Sequence, residues 1–411
     1  MLHRLSASRV RVQPILLPTT LLRLVVRNLS KAIDKALRYF PVVTLTGPRQ
    51  SGKTTLCREL FPQLPYANLE DAATLAEVQT DPKAFLGKYP QGAIFDEAQN
   101  YPSIFSYLQV QVDEDRFQGI KDRHYIVTGS NNFSLMESVT QSMAGRTAVM
   151  TLLPLSTLEI ISHAPNATTS QMLLRGGYPA VWMVGEEARQ TLLSNYYTTY
   201  IERDVRRLIN LKDLQAFQTF IRLCATRVGQ EFNASALSID IGVSVPTIKH
   251  WLSILSASYV VYLLHPYYAN IGKRLTKTPK LYFYDTGLAA FLLGIQTEEQ
   301  MNLHPLRGNL FENMVVNDFM KHGYNKGQEE MLFFYRDKSQ REVDIMRVLP
   351  PDRVEAYEVK AAQTFQTRFF DNLNYLRPLL GDRLQRTMVV YDGQQENPQQ
   401  WNGFLNFRNI F

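Results

Sequence analysis

GPRQSGKTTL, residues 47–56, decides how this chain is read. "PVVTLTG" (41–47) before it is a short β-branched run, and "KTTLCREL" (53–60) after it has helical spacing. Strand, glycine-rich turn and helix start form the context that a phosphate-binding loop requires. Gly47, Pro48, Arg49, Gln50, Ser51, Gly52, Lys53, Thr54 and Thr55 are then the candidate nucleotide-binding residues. Gly47 and Gly52 let the backbone turn and aim its N–H groups at phosphate oxygens, and the helix adds the positive end of its dipole. Lys53 is expected to reach the β- and γ-phosphates and the Thr54 hydroxyl to bind Mg²⁺. ATP and Mg²⁺ are the ligands this predicts.

Working outward, "GAIFDEAQ" (92–99) is a buried-strand run that stops abruptly in Asp96 and Glu97. Two carboxylates at the tip of an apolar strand are costly to desolvate unless a cation or water uses them. Asp96 is expected to hold the Mg²⁺ hydration shell, and Glu97 to orient and polarise the attacking water. The plainer alternative is an exposed acidic turn. "RHYIVTGSNN" (123–132) ends a third strand in Thr128, Ser130 and Asn131, which can sense the γ-phosphate or the water; turn chemistry alone also favours such residues. "AVMTLLPLS" (148–156) and "PYANLED" (65–71) add strands, giving an α/β fold: a doubly wound, mainly parallel sheet with its ligand at the carboxyl ends of the strands.

GPRQSGKTTL, IFDEAQ, TGSNNF, "SMAGRTAVMTLLPLS" (142–156) and "RGGYP" (175–179) together resemble a prokaryotic family of AAA+-like P-loop ATPases with a C-terminal domain of unknown function. The resemblance covers the chain from about Ser30 onward. It implies an AAA-type strand order, Asp96 and Glu97 as the second nucleotide motif, and Asn131 as the sensing residue. The family's A-G-R triplet falls on Ala144, Gly145 and Arg146. Arg146 is therefore a candidate for transition-state charge, in cis or from a neighbouring copy in a homo-oligomer; a structural ion pair or helix cap is the alternative. Arg203 is a weaker candidate of the same kind.

The 411 residues are too many for one ordinary core. Hydrophobic residues at 45% and charged ones at 20% exclude a disordered chain, and a net charge of +6 is compatible with a polyanionic partner. Cys57 and Cys224 are the two cysteines, too few for a zinc site or a disulfide framework, and point to a reducing, cytoplasmic setting. "PILLPTTLLRLVV" (14–26) is too short and too interrupted to span a membrane, which disfavours a membrane-associated ATPase. The first thirty residues hold five arginines and no acid, the look of a transit peptide or of a frayed start.

In the middle, residues 190–209 and 214–229 show helical spacing. Asn233 is placed to cap a short helix ending near Gly242, and Ser244 precedes Pro246 at the start of a second helix, with a strand over Tyr259–Leu264. This predicts a winged helix-turn-helix, for DNA contact or for packing. Thr247, Lys249 and His250 are its outward candidates, with Lys273, Arg274 and Lys277 in the following loop. Tyr196, Tyr197 and Tyr200 can stack on bases or cover a core.

The last third carries Glu312 on a helix ("RGNLFENMVVNDFMKHG", 307–323), Asp344 on a strand ("REVDIMRV") and Glu358 with Lys360 on the next ("VEAYEVKAA"). Residues two apart on a strand share a face. This order resembles the restriction-endonuclease-like, PD-(D/E)XK fold, in which it implies carboxylates holding Mg²⁺ or Mn²⁺ and a lysine that helps activate water. A cross-strand salt bridge is the alternative.

The organisation expected is a basic extension (1–29), an AAA+-like ATPase domain (30–160), a helical linker or lid (161–212), a winged helix-turn-helix (213–290) and a restriction-endonuclease-like domain (291–411). The function expected is a Mg²⁺-dependent ATPase coupled to a DNA-binding, nuclease-like C-terminal half. The alternative is a signalling ATPase whose C-terminal domain is an inactive interaction module.

Overall fold

A computed structural model describes residues 25–130, 139–199, 213–267, 278–399 and 401–411. Helix α1 (Ser30–Leu37) leads into β1 (Val42–Thr46), the phosphate loop and α2 (Lys53–Leu60). Then come β2 (Tyr66–Asn68), α3 (Ala72–Thr80), β3 (Gly92–Asp96), α4 (Ile104–Gln118), β4 (His124–Thr128) and β5 (Thr147–Thr151). The strands form one parallel sheet in the order β2-β3-β4-β1-β5.

Alternation along each strand feeds two cores. Val43, Leu45, Ile94 and Ile126 face α1 and α2, whereas Val42, Phe95, Tyr125 and Val127 pack with Leu108 and Val112 of α4. A sheet buried on both faces needs such near-continuous apolar strands, which is why "VVTLT" and "GAIF" carry so little polarity before their tips. β1 sits between β4 and β5, so the loop after it emerges beside the tips of β3 and β4.

A helical layer follows: α5 (Thr157–His163), α6 (Thr169–Arg175), α7 (Glu186–Tyr196) and α8 (Leu214–Thr226). Next come α9 (Ala234–Ile241) and α10 (Val245–Ala257), then β7 (Val261–Leu264) and β8 (Lys280–Phe283), which join β6 (Gln230–Glu231) in a small antiparallel sheet ordered β6-β8-β7. Asn233 accepts from the Ala236 N–H and Ser244 from the Thr247 N–H, the caps expected of them. The strand starts later than predicted: Tyr259 has φ 55° and precedes β7.

After α11 (Thr286–Leu292), the long α12 (Arg307–Asn325) precedes β9 (Met331–Arg336), β10 (Glu342–Leu349) and β11 (Arg353–Lys360). Helix α13 (Asp371–Leu380), β12 (Leu384–Tyr391) and β13 (Asn402–Asn406) complete the chain. β10 runs antiparallel to both β9 and β11, and β12 and β13 then run parallel to β11, in the order β13-β12-β11-β10-β9. Leu310, Phe311 and Val315 of α12 cover one face with Ile345 and Val359, and Leu373 and Leu376 of α13 cover the other with Val343 and Ala356.

These parts are not loosely strung. One apolar cluster runs from Leu155 through Phe217, Trp251 and Tyr282 to Phe311 and Leu405. Beyond β7, Pro266 bridges Phe334 of β9, so the middle sheet is stitched to the edge of the C-terminal one. Among the described residues no helix is long and apolar enough to cross a membrane.

Candidate functional site

The phosphate loop is held in a self-satisfied arrangement. Gly47 has φ 138°, and a Cβ there would lie 2.2 Å from the Leu152 carbonyl oxygen, so no side chain fits where β1 meets the loop. Gln50 (φ 61°) and Gly52 (φ 93°) turn the backbone into α2. Lys53 is buried and donates to the carbonyls of Gly47 and Pro48 at 3.0 and 2.8 Å. Burial pushes its ammonium down to about 8, against the pull of Glu97 and Asp96.

Thr54 Oγ1 donates to Asp96 Oδ2 at 2.6 Å, so the two groups expected to serve Mg²⁺ already meet. Asp96 also accepts from the Tyr66 hydroxyl at 2.8 Å and from Thr128. Glu97 takes a left-handed conformation, φ 54°, rare for a residue with a side chain and concentrated where function over-determines the backbone. Its Oε2 accepts from Ser130 Oγ at 3.2 Å and from the Gln99 amide. Four elements therefore converge: α2 supplies Thr54, β2 Tyr66, β3 the acids, and β4 Thr128 with Ser130 just beyond.

The remaining candidate residues take the following places. Arg146 is tied to Asp113 of α4 by two 2.7 Å contacts, Nε to Oδ1 and Nη2 to Oδ2, which is the ion-pair alternative. Tyr196 and Tyr197 are buried and cannot stack on bases; the Tyr178 and Tyr196 hydroxyls meet at 2.7 Å. Lys249 and His250 are exposed on α10. Asn131, Tyr200, Arg203, Lys273, Arg274 and Lys277 lie outside the described residues.

Arg27 was not anticipated. It is buried beside the loop, with Nη1 on the Ser51 carbonyl at 2.6 Å, Nη2 on the Leu153 carbonyl at 2.6 Å and Nε on Glu159 Oε1 at 3.1 Å. Glu159 closes the capping box that starts α5. The first residue of that helix, Thr157, donates its N–H to Asp318 of α12 at 2.9 Å, and Lys321 reaches the Leu155 carbonyl at 2.8 Å. A continuous buried polar path thus joins the phosphate loop to α12.

Helix α12 carries Glu312 two turns earlier, in a second polar pocket. Glu312 Oε1 accepts from Lys280 at 2.9 Å and from the Tyr282 hydroxyl at 2.5 Å. Asp344 Oδ2 accepts from the Val359 N–H at 2.7 Å, and Lys360 Nζ lies 2.6 Å from Glu358 Oε1. Burial raises the Glu358 carboxyl, and Asp344 raises it further against Lys360. Burial also raises Glu312, with Lys280 opposing and Asp344 adding. Lys280, on β8, is a second unanticipated residue: burial lowers its ammonium, but Glu312, Asp344 and Glu342 outweigh that and raise it.

The three-carboxylate ligand set expected from the sequence is not gathered. Among the described residues no three His, Cys, Asp or Glu side chains lie close enough to hold a metal as they stand. Glu312 is drawn off by Lys280 and Tyr282. Glu358 Oε2 is buried without a hydrogen-bond partner, an oxygen acceptor of the kind a hard cation takes.

Three families match successive stretches of the chain. Residues 39–161 match the family described as AAA domain, the stretch that holds the phosphate loop, Asp96 and Glu97. Residues 166–299 and 307–409 match two families described as domains of unknown function (DUF8612 and DUF4143). The chain is 29% identical over 403 residues to an uncharacterised protein of Mycobacterium tuberculosis, covering 96% of this chain and 85% of that one. An uncharacterised protein of Haemophilus influenzae is 25% identical over 319 residues, covering 69% and 75%. Among solved structures, the Walker-type ATPase PABY2304 of Pyrococcus abyssi aligns with a TM-score of 0.43 at 14% identity, covering 64% of this chain and 94% of that one.

Proposed function

We propose that the chain is a Mg²⁺-dependent ATP hydrolase whose nucleotide site is coupled to a DNA-binding, nuclease-like C-terminal half. The observation that carries the first part is the 2.6 Å contact between Thr54 and Asp96 beside a buried Lys53 satisfied by loop carbonyls. In this reading ATP exchanges the carbonyl partners of Lys53 for phosphate oxygens. Thr54 and Asp96 would hold Mg²⁺, which would supply charge neutralisation for the phosphates. Tyr66 and Thr128 hold Asp96 in place, and Glu97, positioned by Gln99 and Ser130, polarises the attacking water.

The C-terminal part rests on element order and charge. A helix with Glu312, strands with Asp344 and Glu358-x-Lys360, then a helix and parallel strands support a restriction-endonuclease-like domain. Asp344 and Glu358 would hold Mg²⁺ or Mn²⁺, with Lys360 beside them. The paired helices α9 and α10, followed by the β7–β8 sheet, support a winged helix-turn-helix presenting Lys249 and His250 to DNA. A second reading, an ATPase with an inactive interaction module, is favoured by Lys280 and Lys360 already engaging the carboxylates.

Two assays on the full chain test this. Phosphate release from ATP with Mg²⁺ should be lost in Lys53→Ala. Mn²⁺-dependent nicking of plasmid DNA, lost in Asp344→Ala and Lys360→Ala, favours the nuclease. DNA binding without nicking under any metal favours the interaction module.

A further inference from the structure

We propose that Lys280 is a tethered counter-cation that competes with a divalent metal for the C-terminal carboxylates; this rests on reading that pocket as a metal site. Lys280 does not belong to the sheet that bears the acids. It enters from β8, with Nζ 2.9 Å from Glu312 Oε1 and 2.5 Å from Glu342 Oε1. Its ammonium also lies 5.4 Å from the Phe334 ring centroid, over the ring face. Arg336 shares Glu342 at 3.6 Å and also pairs with Glu231 of β6 at 3.1 Å. The middle sheet therefore meets the C-terminal one through one cation, Lys280 on Glu312 and Glu342, and one carboxylate, Glu231 on Arg336.

The charge balance gives this consequence. Glu312, Asp344, Glu358 and Lys360 would be an ordinary metal-type constellation if they stood alone. Lys280 adds a buried positive charge at Glu312, the carboxylate a metal would otherwise recruit as a third ligand. Glu358 Oε2 is left buried without a partner, an acceptor the two lysines do not satisfy. A divalent ion entering there meets the repulsion of Lys280 and finds Glu312 occupied. The middle domain thereby sets the metal affinity of a site on its neighbour.

The test is Mn²⁺ binding to the nucleotide-free full chain, read from the electron paramagnetic resonance signal of free Mn²⁺, with no activity measurement. Lys280→Met should bind Mn²⁺ at least about tenfold tighter than the wild type, since the variant removes a buried positive charge that occupies Glu312. The gain should vanish in Lys280→Met/Asp344→Asn, and Lys280→Arg should behave as wild type. Equal, Asp344-dependent binding with and without Lys280 overturns the proposal and leaves the metal site standing. No Asp344-dependent binding in either protein overturns the metal-site reading and the proposal with it. If Lys280→Met does not fold, as judged by circular dichroism, Lys280→Gln replaces it. Failure of both to fold makes Lys280 a structural anchor and likewise overturns the proposal.

Discussion

Arg27 and Glu159, 132 residues apart, meet in a buried ion pair, and the same guanidinium holds the Ser51 carbonyl of the phosphate loop at 2.6 Å. The loop is therefore braced by a side chain from before the first helix. Removing Arg27 leaves Glu159 buried without its cation, a loss of about 3–5 kcal/mol for a pair of this kind. Arg27→Ala should lower the unfolding temperature sharply and weaken ATP binding. Arg27→Met/Glu159→Gln, which removes both charges, should recover much of the stability but not the affinity, because Ser51 remains unbraced. Thermal unfolding beside titration with a fluorescent ATP analogue separates the two effects.

Glu97 is the residue on which turnover is expected to depend. Its carboxylate is oriented by Ser130 and Gln99, and its backbone is held at φ 54°. Glu97→Gln keeps size and polarity and removes the base. Phosphate release should fall by about 10²–10⁴-fold, the usual worth of a positioned general base. Equilibrium binding of ATP should stay within a few-fold of wild type. Unchanged turnover would remove Glu97 from the mechanism.

Arg146 invites a different outcome. Its two 2.7 Å contacts fix it to Asp113, and both partners are partly exposed. Arg146→Ala and Asp113→Ala should each cost about 1 kcal/mol or less, as pairs open to solvent do, with the double variant no worse than either single one. ATP turnover should be the same in all three. A large loss of turnover confined to the Arg146 variants would return the arginine to the transition state.

The nucleotide site was legible because its signals are local. Gly47, Lys53 and Thr54 sit within eight residues, and Asp96 declares itself by ending an apolar run. The Asp344 and Glu358-x-Lys360 strands were legible for the same reason. Arg27 and Lys280 were not: each looks like an ordinary basic residue, and each acquires its role from partners distant in sequence, Ser51 and Glu159 for one, Glu312 and Glu342 for the other. Helical spacing alone leaves Tyr196 open between stacking on bases and covering a core, because it cannot say which face of a helix is covered; here Tyr178 covers it.

Lys53 gives a prediction whose sign can be worked out. Burial holds its ammonium near 8 in the folded, nucleotide-free protein, below the ordinary 10.5. Below pH 8 the folded and unfolded chains both carry the charge, and the folded one bears the desolvation cost. Between pH 8 and 10.5 the folded chain releases its proton first. The unfolded chain then binds more protons, so this group's contribution to stability rises with pH. The full span corresponds to about 3 kcal/mol as an upper figure. Urea unfolding at pH 7 and pH 10 should show wild type gaining on Lys53→Met over that interval. Saturating ATP should abolish the gain, because phosphate oxygens keep the ammonium charged. Parallel curves for the two proteins would mean that Lys53 is better solvated than its carbonyl cage implies.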